Sequence, residues 1–210
     1  MTNYKKNFTI ILAAGKSTRM GACKTSIPWY NNQTLLQYQV TEFLKADFIP
    51  IVVLSPKNAA SQPNLPSEIQ IIINPNPEFG KTSSILTGLT QIPQDFTALA
   101  ISAVDQPRPR EVYQKLHYFH LLNKALITAP TYSDRIGHPL LFSPEMLPYL
   151  NSISEATQGL RQIVKEFHSK IQKVEFDHPI VLADLNTPEH YQTWFKSTLL
   201  RFSAKAQQRT

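Results

Sequence analysis

The stretch FTIILAAGKSTRMGACK, which runs from Phe8 to Lys24, decides the fold class of this chain. Its first part, 8–14, is a continuous apolar run with β-branched side chains, which is typical of a buried strand in a parallel sheet. A loop with Gly, Ser, Arg and Lys residues follows at once. We therefore predict a strand whose carboxyl end carries a polar loop, the place where open α/β sheets bind their ligands.

Apolar runs and helical patterns alternate along the rest of the chain. Besides the first strand we predict two further buried strands at 49–54 and 69–73, two more strands at 97–103 and 125–129, and helices near 35–43, 79–89 and 110–124. In the C-terminal third we predict a short strand at 139–142 that could be antiparallel, helices at 144–150 and 158–167, a strand at 171–176, and a helix that begins at Thr187-Pro188-Glu189. This order predicts an α/β fold of three layers, α/β/α, around a Rossmann-like and mostly parallel sheet.

Composition limits the class of protein. The chain has 210 residues, of which 42% are hydrophobic and 17% are charged, as expected for one globular domain spanning 1–210. No segment reaches the roughly 18 apolar residues of a membrane span, and the run 8–14 is too short for a secretory signal. The single cysteine, Cys23, excludes an internal disulfide. We expect a cytoplasmic protein with no membrane partner.

The net charge of +6 lies at the two ends of the chain. Residues 1–7 and 196–210 carry all of the excess Lys and Arg, so the body of the chain, 8–195, is balanced. A surface built for polynucleotide would carry its charge on the folded body. We therefore expect no nucleic-acid partner and interpret the ends, about 1–7 and 204–210, as basic tails.

The loop after the first strand has the chemistry of a phosphate site. Gly15 allows close backbone approach, the guanidinium of Arg19 can bind a phosphate through two hydrogen bonds, and Lys24 can act as a mobile point charge. The loop is neither a Walker A motif nor a GxGxxG motif. The alternative interpretation is a solvent-exposed loop.

A single carboxylate, Asp105, follows the strand predicted at 97–103. Mg²⁺ is usually bound by one or two carboxylates together with phosphate oxygens and water, so Asp105 is a candidate metal ligand. The alternative is an aspartate that begins a turn before Pro107.

The run LAAGKSTRMGACK, 12–24, resembles the signature LAAGxSxRMGxxK of the MobA-like NTP transferases. The resemblance implies the nucleotide-diphospho-sugar transferase type of fold and a loop that wraps a triphosphate. It assigns to nucleotide binding the residues Leu12, Ala13, Ala14, Gly15, Ser17, Arg19 and Lys24. It also implies catalytic roles for Arg19, Lys24 and Asp105. The Ala-Ala-Gly form of the loop is similar to that of the molybdenum cofactor cytidylyltransferases, which favours CTP.

Later segments extend the resemblance. GKTSSILTGL, 80–89, is similar to the family's GMSSSLxxGL, which implies that Gly80, Ser83 and Ser84 line the pocket for base and ribose. An ordinary capped helix is the alternative. Asp105-Gln106-Pro107 is similar to GDQP, in which the aspartate holds Mg²⁺. Gly137-His138-Pro139 matches GHP and implies that His138 lies near the acceptor, unless it is a structural histidine.

Two segments depart from the family pattern. Asp184-Leu185-Asn186-Thr187-Pro188-Glu189 resembles DIDTPED with Asn186 in place of the second acid, and this alignment implies Asn186, in preference to Asp184, as the second metal ligand. Gln158-Gly159-Leu160-Arg161 is similar to GDxGAR without its acid. We assign no role to Arg161.

Together these features predict an enzyme that transfers a nucleoside monophosphate, CMP in preference, from an NTP to a small phosphorylated acceptor with the help of Mg²⁺. The resemblance points to molybdopterin as acceptor and allows a molybdenum enzyme as a further partner. Tyr132 and Phe142 are the candidate aromatic side chains for stacking on a pterin near His138. The alternatives are a nucleotidyltransferase for a sugar or polyol phosphate, and a carrier that binds the cofactor without catalysis.

Overall fold

A computed structural model describes residues 6–17, 20, 23–61 and 64–207, with side chains as far as residue 198. The predicted first strand is β1, Asn7–Ala13, and it lies in the middle of the sheet. It pairs in parallel with β2, Phe48–Leu54, on one side and with β4, Ala98–Ala103, on the other. Its apolar run is buried because both faces and both edges of the strand are covered.

Eight strands form one sheet in the part of the chain that is described. The others are β3 Gln70–Ile73, β5 Ile127–Tyr132, β6 Arg135–Ile136, β7 Leu140–Phe142 and β8 Ile171–Glu175. The order is β3-β2-β1-β4-β7-β5, and both β6 and β8 pair with β5. The pairs β1–β2, β1–β4, β2–β3 and β5–β8 are parallel, and β7 is antiparallel to both of its neighbours. The mostly parallel sheet and the antiparallel short strand were both predicted and are confirmed.

Helices cover both faces of the sheet. They are α1 Leu35–Leu44, α2 Pro56–Ala59, α3 Gly80–Leu89, α4 Arg110–Leu122, α5 Leu147–Asn151, α6 Leu160–Glu166 and α7 Pro188–Gln207. One core lies under α1 and α4, with the side chains of α7 packed at its margin, and the second core lies under α3, α5 and α6. Alternate residues of β1 serve the two cores, Ile11 the first and Ile10 the second. The predicted three-layer α/β/α fold is confirmed.

The prediction that 69–73 forms a buried strand was wrong in its burial. β3 is an edge strand, and the side chains of Ile71 and Ile73 are 41% and 39% exposed. A run of isoleucines indicates a strand, but it does not distinguish the middle of a sheet from its edge. The sequence analysis also did not predict α2 and β6, which span four and two residues.

Local signals account for several helix starts. Thr34 caps α1 in a complete capping box with Gln37. Ser55 caps α2, and Pro56 occupies its first position. At the start of α7, the Thr187 Oγ1 accepts a hydrogen bond from the backbone N–H of His190 at 3.3 Å, as the predicted N-cap requires. Over the described residues, no helix combines the length and apolar character that crossing a bilayer demands.

Candidate functional site

The loop after β1 turns back towards the end of the strand. Ser17 adopts a positive φ of 53°, and its Oγ accepts a hydrogen bond from the backbone N–H of Lys24 at 3.2 Å. The carbonyl of Ser17 accepts another from the N–H of Met20 at 3.0 Å. This turn brings Lys24 beside the carboxyl end of the sheet. Arg19 lies outside the described residues.

A buried asparagine, Asn58, fixes the start of this loop. Its Nδ2 donates to the carbonyl of Ala13 at 2.6 Å and to that of Gly15 at 3.1 Å. Asn58 belongs to α2, whose cap Ser55 accepts from the Asn58 N–H at 3.2 Å. The sequence analysis missed Asn58. The Ser55-Pro56 pair, a signature of a helix start, was the signal that a polar helix follows β2.

Three side chains meet beside the carboxyl end of the sheet, those of Lys24, Asp105 and Asn186. The Nζ of Lys24 lies 2.7 Å from Oδ2 of Asp105 and 3.0 Å from Oδ1 of Asn186. The side chains of Lys24 and Asp105 are only 12% and 11% exposed, so the pair is better shielded from water than a surface ion pair. The N–H of Leu185 donates to the carbonyl of Asp105 at 2.9 Å and joins the two chain segments.

Asp184 faces away from this point. Its Oδ1 accepts from the Nε2 of Gln106 at 2.8 Å, and the Oε1 of Gln106 accepts from the N–H of Ala103 at 3.2 Å. The structure thus places Asn186, rather than Asp184, against Lys24 and Asp105.

A fully buried arginine, Arg108, holds the segments around the site together. Its guanidinium donates to the carbonyls of His138 at 3.2 Å, Val181 at 3.1 Å, Ala183 at 2.7 Å and Pro107 at 3.0 Å. Burial lowers the pKa of Arg108 to about 10, so it stays charged near neutral pH. Sequence reasoning missed this residue because an arginine between two prolines carries no pattern that predicts burial.

The opposite wall is the start of α3. Asn74, which is buried after β3, donates from Nδ2 to Ser83 Oγ at 2.8 Å and to Ser84 Oγ at 3.0 Å. The Ser83 hydroxyl donates to backbone carbonyls at 3.0 and 3.1 Å. Ser83 is therefore engaged within the helix start, whereas Ser84 faces the cavity.

Glu155 supplies a carboxylate at the same helix start. Its Oε2 accepts from the N–H of Thr82 at 3.2 Å, and a Cβ built on Gly80 would lie 2.5 Å from the carboxyl carbon. Gly80 also has a φ of +88°, which favours glycine. Glu155 stands two residues before the position of the acid in the GDxGAR pattern.

A cavity of about 280 Å³ opens between these walls. Ten of the residues assigned from the sequence line it, namely Leu12, Ala13, Ala14, Gly15, Ser17, Lys24, Gly80, Ser84, Asp105 and Asn186. Sequence reasoning missed six others, namely Thr25, Asn58, Pro77, Lys81, Ala103 and Val104. Two assigned residues, Ser83 and His138, are not among those lining it. A phosphorylated ligand would find here backbone, hydroxyl and ammonium groups on facing walls.

His138 is half-buried beside the Arg108 network. Its backbone N–H donates to the carbonyl of Val181 at 2.9 Å, and a Cβ on the preceding Gly137 would come within 2.2 Å of that oxygen. Burial lowers the pKa of His138 to about 4, so its ring is neutral at pH 7. Phe142 is fully buried in the core and cannot stack on a ligand, which corrects one of the two aromatic candidates.

Comparison with known proteins gives the family. The model of the MobA-like NTP transferase domain matches residues 9–174. The chain belongs to this family. The MobA-like match includes the β1 loop, the start of α3 and Asp105, whereas Asn186 lies beyond it. No curated protein matches the sequence significantly.

Solved structures share the MobA-like fold at low sequence identity. Rv0371c from Mycobacterium tuberculosis H37Rv superposes with a TM-score of 0.77 at 22% identity, over 91% of this chain and 98% of that one. The same protein in complex with manganese gives 0.72 at 19% identity, over 91% and 98%. The nucleotidyl transferase Mth528 from Methanothermobacter thermautotroptrophicus gives 0.74 at 18%, over 93% and 99%.

A molybdopterin-guanine dinucleotide biosynthesis protein A from Archaeoglobus fulgidus gives a TM-score of 0.63 at 17% identity, over 90% of this chain and 97% of that one. At such identities, these neighbours establish the fold of a MobA-like chain and leave its substrates to be argued from the site.

Proposed function

We propose that this protein transfers a nucleoside monophosphate from an NTP to a small phosphorylated acceptor. The preferred nucleoside monophosphate is CMP, and the preferred acceptor is molybdopterin. The observation that carries the proposal is the convergence of Lys24, Asp105 and Asn186 at the cavity behind the β1 loop. The CMP preference rests on the Ala-Ala-Gly form of that loop, and the acceptor on the family resemblance together with the A. fulgidus neighbour.

A divalent metal fits the oxygen atoms of this site. The Lys24 ammonium is a cation held by one carboxylate oxygen and one amide oxygen, both of which are ligands that Mg²⁺ accepts. Asp105 and Asn186 would hold the ion, and when bound it would neutralise charge on the phosphate oxygens. The manganese complex of Rv0371c supports a divalent ion on this fold. We propose Mg²⁺ as the ion used here.

The protein's own residues position the reacting groups. The β1 loop and Lys24 bind the triphosphate, with Arg19 as a second cation from the same loop. An oxygen of the acceptor's phosphate attacks the α-phosphorus in line. A new P–O–P linkage forms, the bond between the α- and β-phosphates breaks, and pyrophosphate leaves with its electron pair.

Positioning and charge stabilisation suffice for this chemistry. A phosphate acceptor is already ionised at neutral pH, so no side chain has to remove a proton from it. Charge on the leaving pyrophosphate develops in the transition state, and the ammonium of Lys24 stabilises it there. His138, neutral at pH 7, is available for a hydrogen bond on the acceptor side.

The test is pyrophosphate release from CTP, GTP, ATP and UTP, each with Mg²⁺ and molybdopterin, with Asp105→Asn and EDTA as controls. We expect release with CTP that both controls abolish. Release with GTP alone would refute the CMP preference and keep the reaction. If NTPs bind and none is turned over, the assay is repeated with glucose 1-phosphate and glycerol 3-phosphate in place of molybdopterin. If no pyrophosphate is released with these acceptors either, transfer is refuted in favour of a non-catalytic carrier.

A further inference from the structure

Two ammonium groups line the cavity, those of Lys24 and Lys81. Lys24 is paired with Asp105, the one carboxylate among the described lining residues. Lys81 forms no ion pair within the part of the chain that the structure describes. Among the described lining residues, Lys81 is therefore the lysine without a carboxylate at ion-pair distance.

Lys81 forms no ion pair with Glu155, although this carboxylate accepts from the N–H of the neighbouring Thr82. Lys81 lies in the first turn of α3, where the helix dipole favours acids and disfavours cations. That first turn contains no acid of its own, and Glu155 from a distant segment provides the carboxylate instead. The side chain of Lys81 is exposed, so packing does not account for its charge either. An anionic ligand in the cavity would give this exposed ammonium group a partner.

Electrostatics connects Lys81 with His138. Burial and then the charge of Arg108 lower the pKa of His138, and the charge of Lys81 contributes in the same direction. By geometry, Lys81 belongs to the α3 wall of the cavity, whereas Lys24 belongs to the wall formed by the β1 loop.

We propose that Lys81 binds the phosphate of the acceptor and thereby selects an anionic acceptor over a neutral one; this rests on the transfer reaction proposed above. An acceptor phosphate has to approach a triphosphate that is itself anionic, and the two repel each other. An ammonium group on the acceptor side offsets that repulsion and places the attacking oxygen. A lysine, as a mobile point charge, can follow the phosphate as the bond forms.

The first experiment measures binding without turnover. Calorimetry follows the titration of inorganic phosphate into protein saturated with Mg²⁺ and α,β-methylene-CTP, for wild type, Lys81→Met, Lys81→Arg and the control Lys173→Met, which removes an exposed lysine from β8. We expect Lys81→Met to raise the Kd for phosphate about tenfold, the loss of one charge-assisted contact. Lys81→Arg and Lys173→Met should stay within about twofold of wild type.

The second experiment separates acceptor from nucleotide. In the pyrophosphate assay, Lys81→Met should raise the KM for molybdopterin about tenfold and leave the KM for CTP unchanged. Wild type that binds no phosphate, equal phosphate affinity in Lys81→Met, or a rise confined to the Kd or KM of the nucleotide would each overturn the assignment. Lys81-dependent phosphate binding without any pyrophosphate release would uphold the anion site and refute the transfer reaction instead.

Discussion

The ammonium of Lys24 occupies the point where the oxygens of Asp105 and Asn186 meet. In the proposed reaction, a nucleotide with its metal would compete with Asp105 for the ammonium of Lys24, which keeps one further N–H donor for a phosphate. In the transition state of the proposed transfer, the same ammonium would bind more strongly, because negative charge would develop on the leaving pyrophosphate. Lys24 should therefore matter more to kcat than to nucleotide affinity.

Replacement of Lys24 by alanine tests this at the scale of one residue. We expect Lys24→Ala to lower kcat about a hundredfold or more, the usual cost of losing a donor aimed at developing charge. The matched control is Lys16→Ala, which removes an exposed lysine from the same loop and should retain nearly full activity. Steady-state pyrophosphate release measures both. If kcat and KM of Lys24→Ala equal those of wild type, the loop does not bind the triphosphate.

At the scale of elements, the site depends on how the segments after β4 and β8 are joined. Arg108 donates to the carbonyl of His138 in the GHP-like turn and to those of Val181 and Ala183 in the stretch that leads to Asn186. The charge of Arg108 is fully buried without a carboxylate in an ion pair among the described residues, so carbonyl dipoles stabilise it. Removing the guanidinium would leave the carbonyls of His138 and Ala183 without this donor, whereas the carbonyl of Val181 would keep the backbone N–H of His138.

We expect Arg108→Met to lower the free energy of unfolding by about 3 kcal/mol, because buried carbonyl groups lose a charged donor. Arg110→Met, an exposed change two residues away, should be nearly neutral. Urea denaturation measures both variants. A stable Arg108→Met protein would mean that water or a local rearrangement satisfies the carbonyls of His138 and Ala183.

Some features of these elements could be predicted from the sequence, and others could not. The strand at 8–14 and the loop after it were predictable because an apolar run that ends in glycine leaves few alternatives. Asn58 and Arg108 were not, because each bonds to segments far away in sequence, and no local pattern encodes such a partner. Lys81 was also missed, since an exposed lysine at a helix start is usually only a solvated side chain.

At the scale of the whole molecule, the sheet order explains why these residues meet. β1 and β4 are parallel neighbours, so the loop after β1 and Asp105 after β4 emerge at the same edge. The start of α3 follows β3 at that edge too, across β2. The motifs stand far apart in sequence, and the alternation of strands and helices was sufficient to predict that they share one edge.

The free energy of unfolding should also depend on pH, through a histidine far from the site. His120 of α4 is 2% exposed, and its Nδ1 lies 2.8 Å from the Thr128 hydroxyl of β5, so it joins a helix to the sheet. Burial, more than the nearby His117, lowers the pKa of His120 from 6.5 to about 4. The unfolded chain therefore takes up a proton at a pH where the folded protein does not.

The neutral His120 contributes fully to the free energy of unfolding above pH 6.5, and this contribution is lost as the pH falls towards 4. Between pH 7 and pH 5 the loss should be about 2 kcal/mol for His120 alone. Urea denaturation at the two pH values compares wild type with His120→Gln, in which this part of the dependence disappears, and with exposed His168→Gln, in which it persists. If the free energy of unfolding changed equally with pH in His120→Gln and in wild type, His120 would be protonated in the folded state, with the Thr128 contact re-formed around the charge.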